Sequence, residues 1–167
     1  MSTLNISFSQ SKSRLVLGID PGSRITGFGL LEVAGNRGSY LSSGVIKTDH
    51  QQGALGKIFS ELAALIEQYQ PNEVAIEQVF MHANVNSAIK LGQARGAAIA
   101  AAERSGLRIS EYTARQVKLA VVGYGNAEKH QVQQMVKLLL KLPQLPSTDE
   151  ADALAVAICH AHSRQGT

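Results

Sequence analysis

Apolar and polar positions along this chain change period several times, and each change marks an element. From Arg14 to Ile46, short apolar runs alternate with glycine-containing breaks, which predicts three strands at roughly 14–20, 25–34 and 38–46. Pro21-Gly22 and Asn36-Arg37-Gly38 supply turn chemistry between them. Leu55, Ile58, Phe59, Leu62, Leu65, Ile66 and Tyr69 then recur at three- and four-residue steps, the spacing of one helix face, and Pro71 ends that helix. The run 73–77 predicts a fourth strand, and a long small-residue helix over about 84–105 ends at Gly106. Arg108 to Tyr112 reads as a fifth strand, before helices near 114–121 and 128–141. The last helix has the clearest start, because Ser147 and Glu150 are spaced as a capping box just after Pro146.

That order, three strands and then alternating helices and strands with extra helices before the last, predicts an α/β fold. Its sheet is mixed, with the first three strands antiparallel through tight turns. At 167 residues and 44% hydrophobic the chain is long enough for one real core, and no linker or repeat divides it. The expected organisation is a polar, Ser-rich, disordered extension over 1–13, one domain over 14–164, and a short tail over 165–167. The single Cys159 lies among Ala, Ile and Val and reads as a small core residue, which excludes a disulfide framework and a cysteine zinc site. No apolar run approaches membrane-spanning length and the start lacks an apolar signal core, so no membrane partner and a cytoplasmic location are expected.

Four carboxylates stand at the ends of these elements. Asp20 closes the first strand and Glu77 the fourth, while Asp149 and Asp152 lie three apart at the start of the last helix and so share a face. There the positive end of the helix dipole favours ionised acids. The first and fourth strands would be sheet neighbours with their carboxyl ends opening on one side. Acids gathered from two strand ends and a helix end repel one another unless a divalent cation sits between them. Magnesium takes hard oxygen ligands of this kind, and a pair of ions can clamp both oxygens of an in-line phosphodiester displacement. The pattern reads as a metal-dependent nuclease centre. The net charge is +3, from 16 Lys and Arg against 13 Asp and Glu; setting the four acids aside leaves a basic excess of seven. Between Glu77 and Asp149 there are nine basic residues against Glu103, Glu111 and Glu128, a balance suited to a phosphate-backbone substrate beside an acidic pocket.

Longer stretches carry a resemblance. Gly18-Ile19-Asp20-Pro21-Gly22-Ser23 with Thr26-Gly27, Ala75-Ile76-Glu77-Gln78-Val79-Phe80, Lys90-Leu91-Gly92-Gln93-Ala94-Arg95-Gly96, Ala114-Arg115-Gln116-Val117-Lys118 and Asp149-Glu150-Ala151-Asp152-Ala153-Leu154-Ala155 resemble the RuvC family of Holliday junction resolvases. The likeness runs in family order from about Leu15 to His162. It implies a ribonuclease-H-like fold with a five-stranded mixed sheet flanked by helices. It also implies a homodimeric endodeoxyribonuclease that cuts four-way DNA junctions symmetrically in recombination and repair. The family's metal-binding catalytic acids map onto Asp20, Glu77, Asp149 and Asp152. Two Mg2+ per subunit, about 4 Å apart as in other two-metal sites, would activate water and stabilise the leaving 3′ oxygen, with Mn2+ able to substitute. Products would carry 5′-phosphates and 3′-hydroxyls.

The same resemblance assigns DNA contacts. Lys118 and Lys129 resemble basic residues used near the scissile phosphate. Lys129 lies three after Asn126, expected as the N-cap, with Gly123-Tyr124-Gly125 allowing close backbone approach. Arg95 and Arg115 are further phosphate candidates, and Phe80, beside Met81, is placed to stack on or wedge between bases near the crossover. His160 and His162 have no paired ligand pattern. Gly92 and Gly96 permit close helix packing, within the chain or at the seam of a two-fold dimer. A branch-migration motor of RuvA and RuvB is the partner the resemblance implies, and a T-rich cutting context the preference. Three departures stand out: the 1–13 extension, the lack of a long basic tail, and His130 where a smaller polar residue is usual. The alternatives are another ribonuclease-H-like nuclease acting on structured RNA and a non-catalytic junction-binding module. The Gly18-to-Ser23 turn also resembles the phosphate loop of actin-like and sugar-kinase ATPases, but those need a second such domain that 167 residues do not hold.

Overall fold

The computed structural model of the chain describes residues 12–48, 52–79 and 84–163. Apart from Lys12 and Ser13, the expected N-terminal extension lies outside them, as do the tail over 165–167, Phe80 and Met81. Five strands, β1 (Arg14–Asp20), β2 (Ile25–Ala34), β3 (Arg37–Lys47), β4 (Glu73–Glu77) and β5 (Arg108–Tyr112), form one sheet in the order β3-β2-β1-β4-β5. β1, β2 and β3 pair antiparallel, whereas β4 and β5 run parallel to β1, so the mixed sheet is as expected. The β2–β3 turn sits one residue earlier than predicted. Ala34 pairs with Arg37 and the loop is Gly35-Asn36, with Gly35 at φ +63. A two-residue hairpin loop needs such a residue, and glycine takes it without a Cβ penalty.

Strand alternation sends successive residues to opposite faces. Leu17, Ile19, Leu30, Ile46, Val74 and Ile76 pack against α1 (Ala54–Tyr69) and α2 (Val85–Arg104). Val16, Leu31, Val33 and Ala75 face a layer built from α3 (Ala114–Val122), α4 (Lys129–Leu139) and α5 (Thr148–Ser163). α1 turns the stripe Ile58, Leu62 and Ile66 to the core, as its spacing predicts. In α5 every residue from Ala153 to Ala161 is buried, Cys159 among them.

The glycines of β1 and β2 are not breaks, as their pattern suggested, but strand-interior positions beneath α5. Gly18 pairs with Gly29, and Gly27 with Asp20. A Cβ on Gly18 would collide with the backbone at Ala153 and Ala157, one on Gly29 with Leu154, and one on Gly27 with the carbonyl of Asp149. This bare lane lets a helix rich in alanine lie directly on the sheet, closer than side chains would otherwise permit.

Candidate active site

Two strand ends and one helix start meet on the α5 side of the sheet. The parallel register Ile19↔Ile76 sets Asp20 and Glu77 abreast. Period-two alternation puts Asp20 on the face of Val16 and Gly18, and Glu77 on the face of Ala75. α5 begins where predicted: the Glu150 amide donates to Ser147 Oγ (3.4 Å), and the Ser147 amide and hydroxyl donate to Glu150 Oε2 (3.1 and 2.7 Å). The capped turn rests on Gly27, which stands opposite Asp20, so Asp149 and Asp152 arrive over the strand ends.

The electrostatics follow from that crowding. Burial, then the Glu77 charge and a hydrogen bond with its carboxyl, then Asp152 and Asp149, push the Asp20 carboxyl up to about 9. Asp152 is raised to about 6: burial drives it, Lys129 pulls it back down, and Glu77 and Asp149 push it up again. The Lys129 ammonium stands 3.7 Å from Asp152 Oδ2. A cavity of about 230 Å³ is lined by the acids Asp20, Glu77 and Asp152, the cations Lys118 and Lys129, and the apolar Ala114, Val117 and Val132. A second hollow of about 280 Å³ continues past Glu77 along Gln78 and Val79 to Leu91 of α2. Two larger hollows, of about 330 and 340 Å³, lie at the start of α1 and between the C-terminal ends of α1 and α2, and neither gathers more than one acid.

As the side chains stand, no three His, Cys, Asp or Glu groups among the described residues make a ready ion cage. The charge is met instead by the Asp20–Glu77 hydrogen bond and by Lys129. A buried carboxyl held protonated far above its ordinary range marks a place where positive charge is wanted, and the oxygen donors are of the hard type that Mg2+ and Mn2+ take. The residues therefore fit a divalent cation.

The chain matches the family model described as "Crossover junction endodeoxyribonuclease RuvC" over residues 16–160. It belongs to the RuvC family. The crossover junction endodeoxyribonuclease RuvC of Geobacter sulfurreducens is 60% identical over 151 residues, covering 89% of this chain and 92% of that one. The RuvC of Shewanella sp. is 54% identical over 153 residues, covering 90% and 88%. Thermus thermophilus RuvC, solved in complex with Holliday junction substrate, superposes with a TM-score of 0.85 at 35% identity, over 92% of this chain and 97% of that one. The fold is thus the ribonuclease-H-like one that the sequence resemblance implied, and the chain is a nuclease of the RuvC family. Membership of that family implies use of a divalent metal.

Within this RuvC-family site the expected DNA contacts fall in different places. Lys118 comes from α3, whose start is a capping box: Gln116 N–H donates to Thr113 Oγ1 (3.1 Å) and Thr113 N–H to Gln116 Oε1 (2.8 Å). Lys129 is the first residue of α4, but the N-cap is Glu128 rather than Asn126, since Glu128 N–H is taken by Gln131 Oε1 at 2.8 Å. Gly125 lies under the Arg115 side chain, and Gly123 caps α3 at φ +97. Arg95 is set away from the acids, paired with Glu111 at 2.6 Å on the opposite face of the sheet. His130 pairs with Glu128 at 3.4 Å on the surface.

One polar network escaped the sequence reading. His160 is buried in α5, with Nε2 2.6 Å from Glu73 Oε2 and Nδ1 2.7 Å from Tyr112 Oη, and Arg14 Nε is 3.6 Å from the same Glu73 oxygen. The sequence left His160 and His162 only without a paired ligand pattern; in the fold His160 is a hydrogen-bonded core histidine, and His162 is exposed. The partners of His160 are 48 and 87 residues away, so no local pattern announces them.

Proposed function

We propose that this chain resolves four-way DNA junctions by paired symmetric nicks, using the centre formed by Asp20, Glu77, Asp149 and Asp152. The observation that carries the proposal is the convergence of Asp20, Glu77 and Asp152, from β1, β4 and α5, on one cavity that Lys118 and Lys129 also line, with the Asp149 charge close enough to act on Asp20. The Thermus thermophilus relative, bound to such a junction, supports the substrate. The four acids would hold two Mg2+ ions, with Mn2+ able to substitute. Divalent ions bound there supply charge to the scissile phosphate and lower the pKa of the attacking water.

The chain's own residues do the rest. Asp20 faces each of the other three acids, so it is the group best placed to be shared between two ions. Asp152 would exchange its Lys129 partner for an ion, freeing the ammonium for a non-bridging phosphate oxygen, with Lys118 beside it. Val117 and Val132 give the cavity an apolar part of its lining, which lowers the local dielectric and strengthens these interactions. No Ser or Cys nucleophile is needed, so the ends would be 5′-phosphate and 3′-hydroxyl. Arg115, exposed beside the cavity at the start of α3, would meet the DNA backbone, and Phe80 would stack near the crossover. For Arg95 the pairing with Glu111 favours a bracing role over a phosphate contact.

Two matched cuts call for two sites, which a two-fold dimer supplies with one interface. Among the described residues, a Cβ on Gly92 or Gly96 would meet nothing within 4 Å, and Val85 and Ile89 are 68% and 55% exposed, so this face of α2 would suit a second copy. Junctions would be delivered by a RuvA and RuvB motor, and the work would take place in the cytoplasm. No described helix is long and apolar enough to cross a membrane. Incubation with an end-labelled four-way junction and Mg2+ tests the reading: symmetric, religatable nicks are expected. A protein that binds the junction but leaves it intact with both Mg2+ and Mn2+ would instead be a binding module.

A further inference from the structure

We infer that Glu150, with Ser43 and Tyr40, is a positioning group for the catalytic acids: its carboxylate ties the first turn of α5 to the edge strand β3 and so sets where Asp149 and Asp152 stand over Asp20. The inference rests on the metal-centre reading above. Glu150 lies between the two acids in sequence, yet both of its oxygens are already engaged. Oε2 accepts from the Ser147 amide and hydroxyl at 3.1 and 2.7 Å, and Oε1 accepts from the Ser43 hydroxyl at 3.0 Å. Tyr40 Oη lies 3.2 Å from Ser43 Oγ and extends the chain of hydrogen bonds along β3. A carboxylate satisfied by three donors has little left to offer an ion, so this acid belongs to the support of the site.

A capping box alone settles only the local start of a helix. The Ser43 bond spans 107 residues and is tertiary. Ser43 pairs with Gly29, which pairs with Gly18, so it stands in the bare row on which α5 rests. Nothing on those glycines resists sliding of the helix along the sheet, and the Glu150–Ser43 bond is a directional contact that does. Asp149 and Asp152 flank Glu150 by one and two residues, so any tilt of this turn moves both relative to Asp20, which is held in β1.

Ser43→Ala removes the tertiary bond and leaves the cap, Glu150→Ala removes both, and Glu150→Gln keeps an oxygen for Ser147 and an amide for Ser43. Three measurements separate the readings: hydrogen exchange of the first α5 amides in metal-free protein, Mn2+ binding by calorimetry, and kcat and KM on a four-way junction. Ser43→Ala is expected to exchange faster, to bind Mn2+ about fivefold to tenfold more weakly, as the loss of one such bond implies, and to lose kcat with KM unchanged, and Glu150→Ala, which loses the cap as well, is expected to fall further in each. Glu150→Gln is expected close to wild type. If Glu150→Gln falls as far as Glu150→Ala while Ser43→Ala is silent, Glu150 is itself a ligand and the inference is overturned. Wild-type protein that binds Mn2+ beside a Ser43→Ala variant identical in all three measurements overturns the inference alone. Wild-type protein that binds no Mn2+ overturns the metal reading and the inference with it.

Discussion

Replacing Gly27 by alanine tests how the helix that carries Asp149 and Asp152 is held. The new methyl would fall on the carbonyl of Asp149 and lie 2.8 Å from its carbon, and both are backbone atoms that no rotamer change can clear. To restore ordinary contact the first turn of α5 would have to retreat by about 1 Å. Overpacking of this kind costs about 1–3 kcal/mol, partly offset by about 0.5–1 kcal/mol from the stiffer unfolded chain. A fall in Tm of about 3–6 °C follows for a domain of this size. Catalysis should suffer far more, since a misplacement of about 1 Å can cost about 10²-fold in rate, and here two of the four acids move together. Thermal melts and single-turnover cleavage of a labelled junction measure the two effects. Gly56→Ala is the control: Gly56 is exposed in α1 with nothing within 4 Å of its would-be Cβ, so it should be neutral or slightly stabilising with full activity. A Gly27→Ala protein with wild-type melting and wild-type rate would refute the claim that this contact sets the site.

Asp20→Asn removes a proposed ligand and one of the four clustered acids, so junction cleavage should fall by orders of magnitude while metal-free junction binding, read by gel shift, holds or rises; near-normal cleavage would sink the metal-centre reading. Because Asp20 and Asp152 are raised to about 9 and about 6 from 3.8, the folded state holds protons that the unfolded chain has released. The contribution of these two acids to metal-free stability should therefore fall as pH rises from about 4 through 9, with Asp152 spent by about 6 and Asp20 alone acting above it, and Mg2+ should flatten that decline; a metal-free Tm that climbs between about 6 and 9 would contradict the buried-acid account. His160→Ala leaves the Glu73 carboxylate buried without its imidazole, which should cost about 3 kcal/mol or more in urea unfolding. An unchanged midpoint would mean that the network is not structural.

Much of this protein is written in local pattern. The helical spacing of Leu55 to Tyr69, the five strand runs and the Ser147–Glu150 cap each depend on residues within a few positions of one another, and the structure forms these elements there. Asp20, Glu77, Asp149 and Asp152 stood out because each ends or starts such an element, and chain order alone made β1 and β4 neighbours. What stayed hidden depends on contacts between distant segments. Gly18, Gly27 and Gly29 look like breaks in a string of letters, and only the weight of α5 above them explains why no side chain fits. Gly92 and Gly96 look alike in sequence, but a Cβ there would meet none of the described residues within 4 Å. The pairing of Arg95 with Glu111 joins α2 to β5 and has no local signature. Glu73, Tyr112 and His160 form one buried network only because three elements pack together. Periodicity and caps are short-range properties of the backbone, and they can be read from one segment at a time. Close approach, desolvation and the pairing of charges belong to the packed sheet and helices, and no single segment contains them.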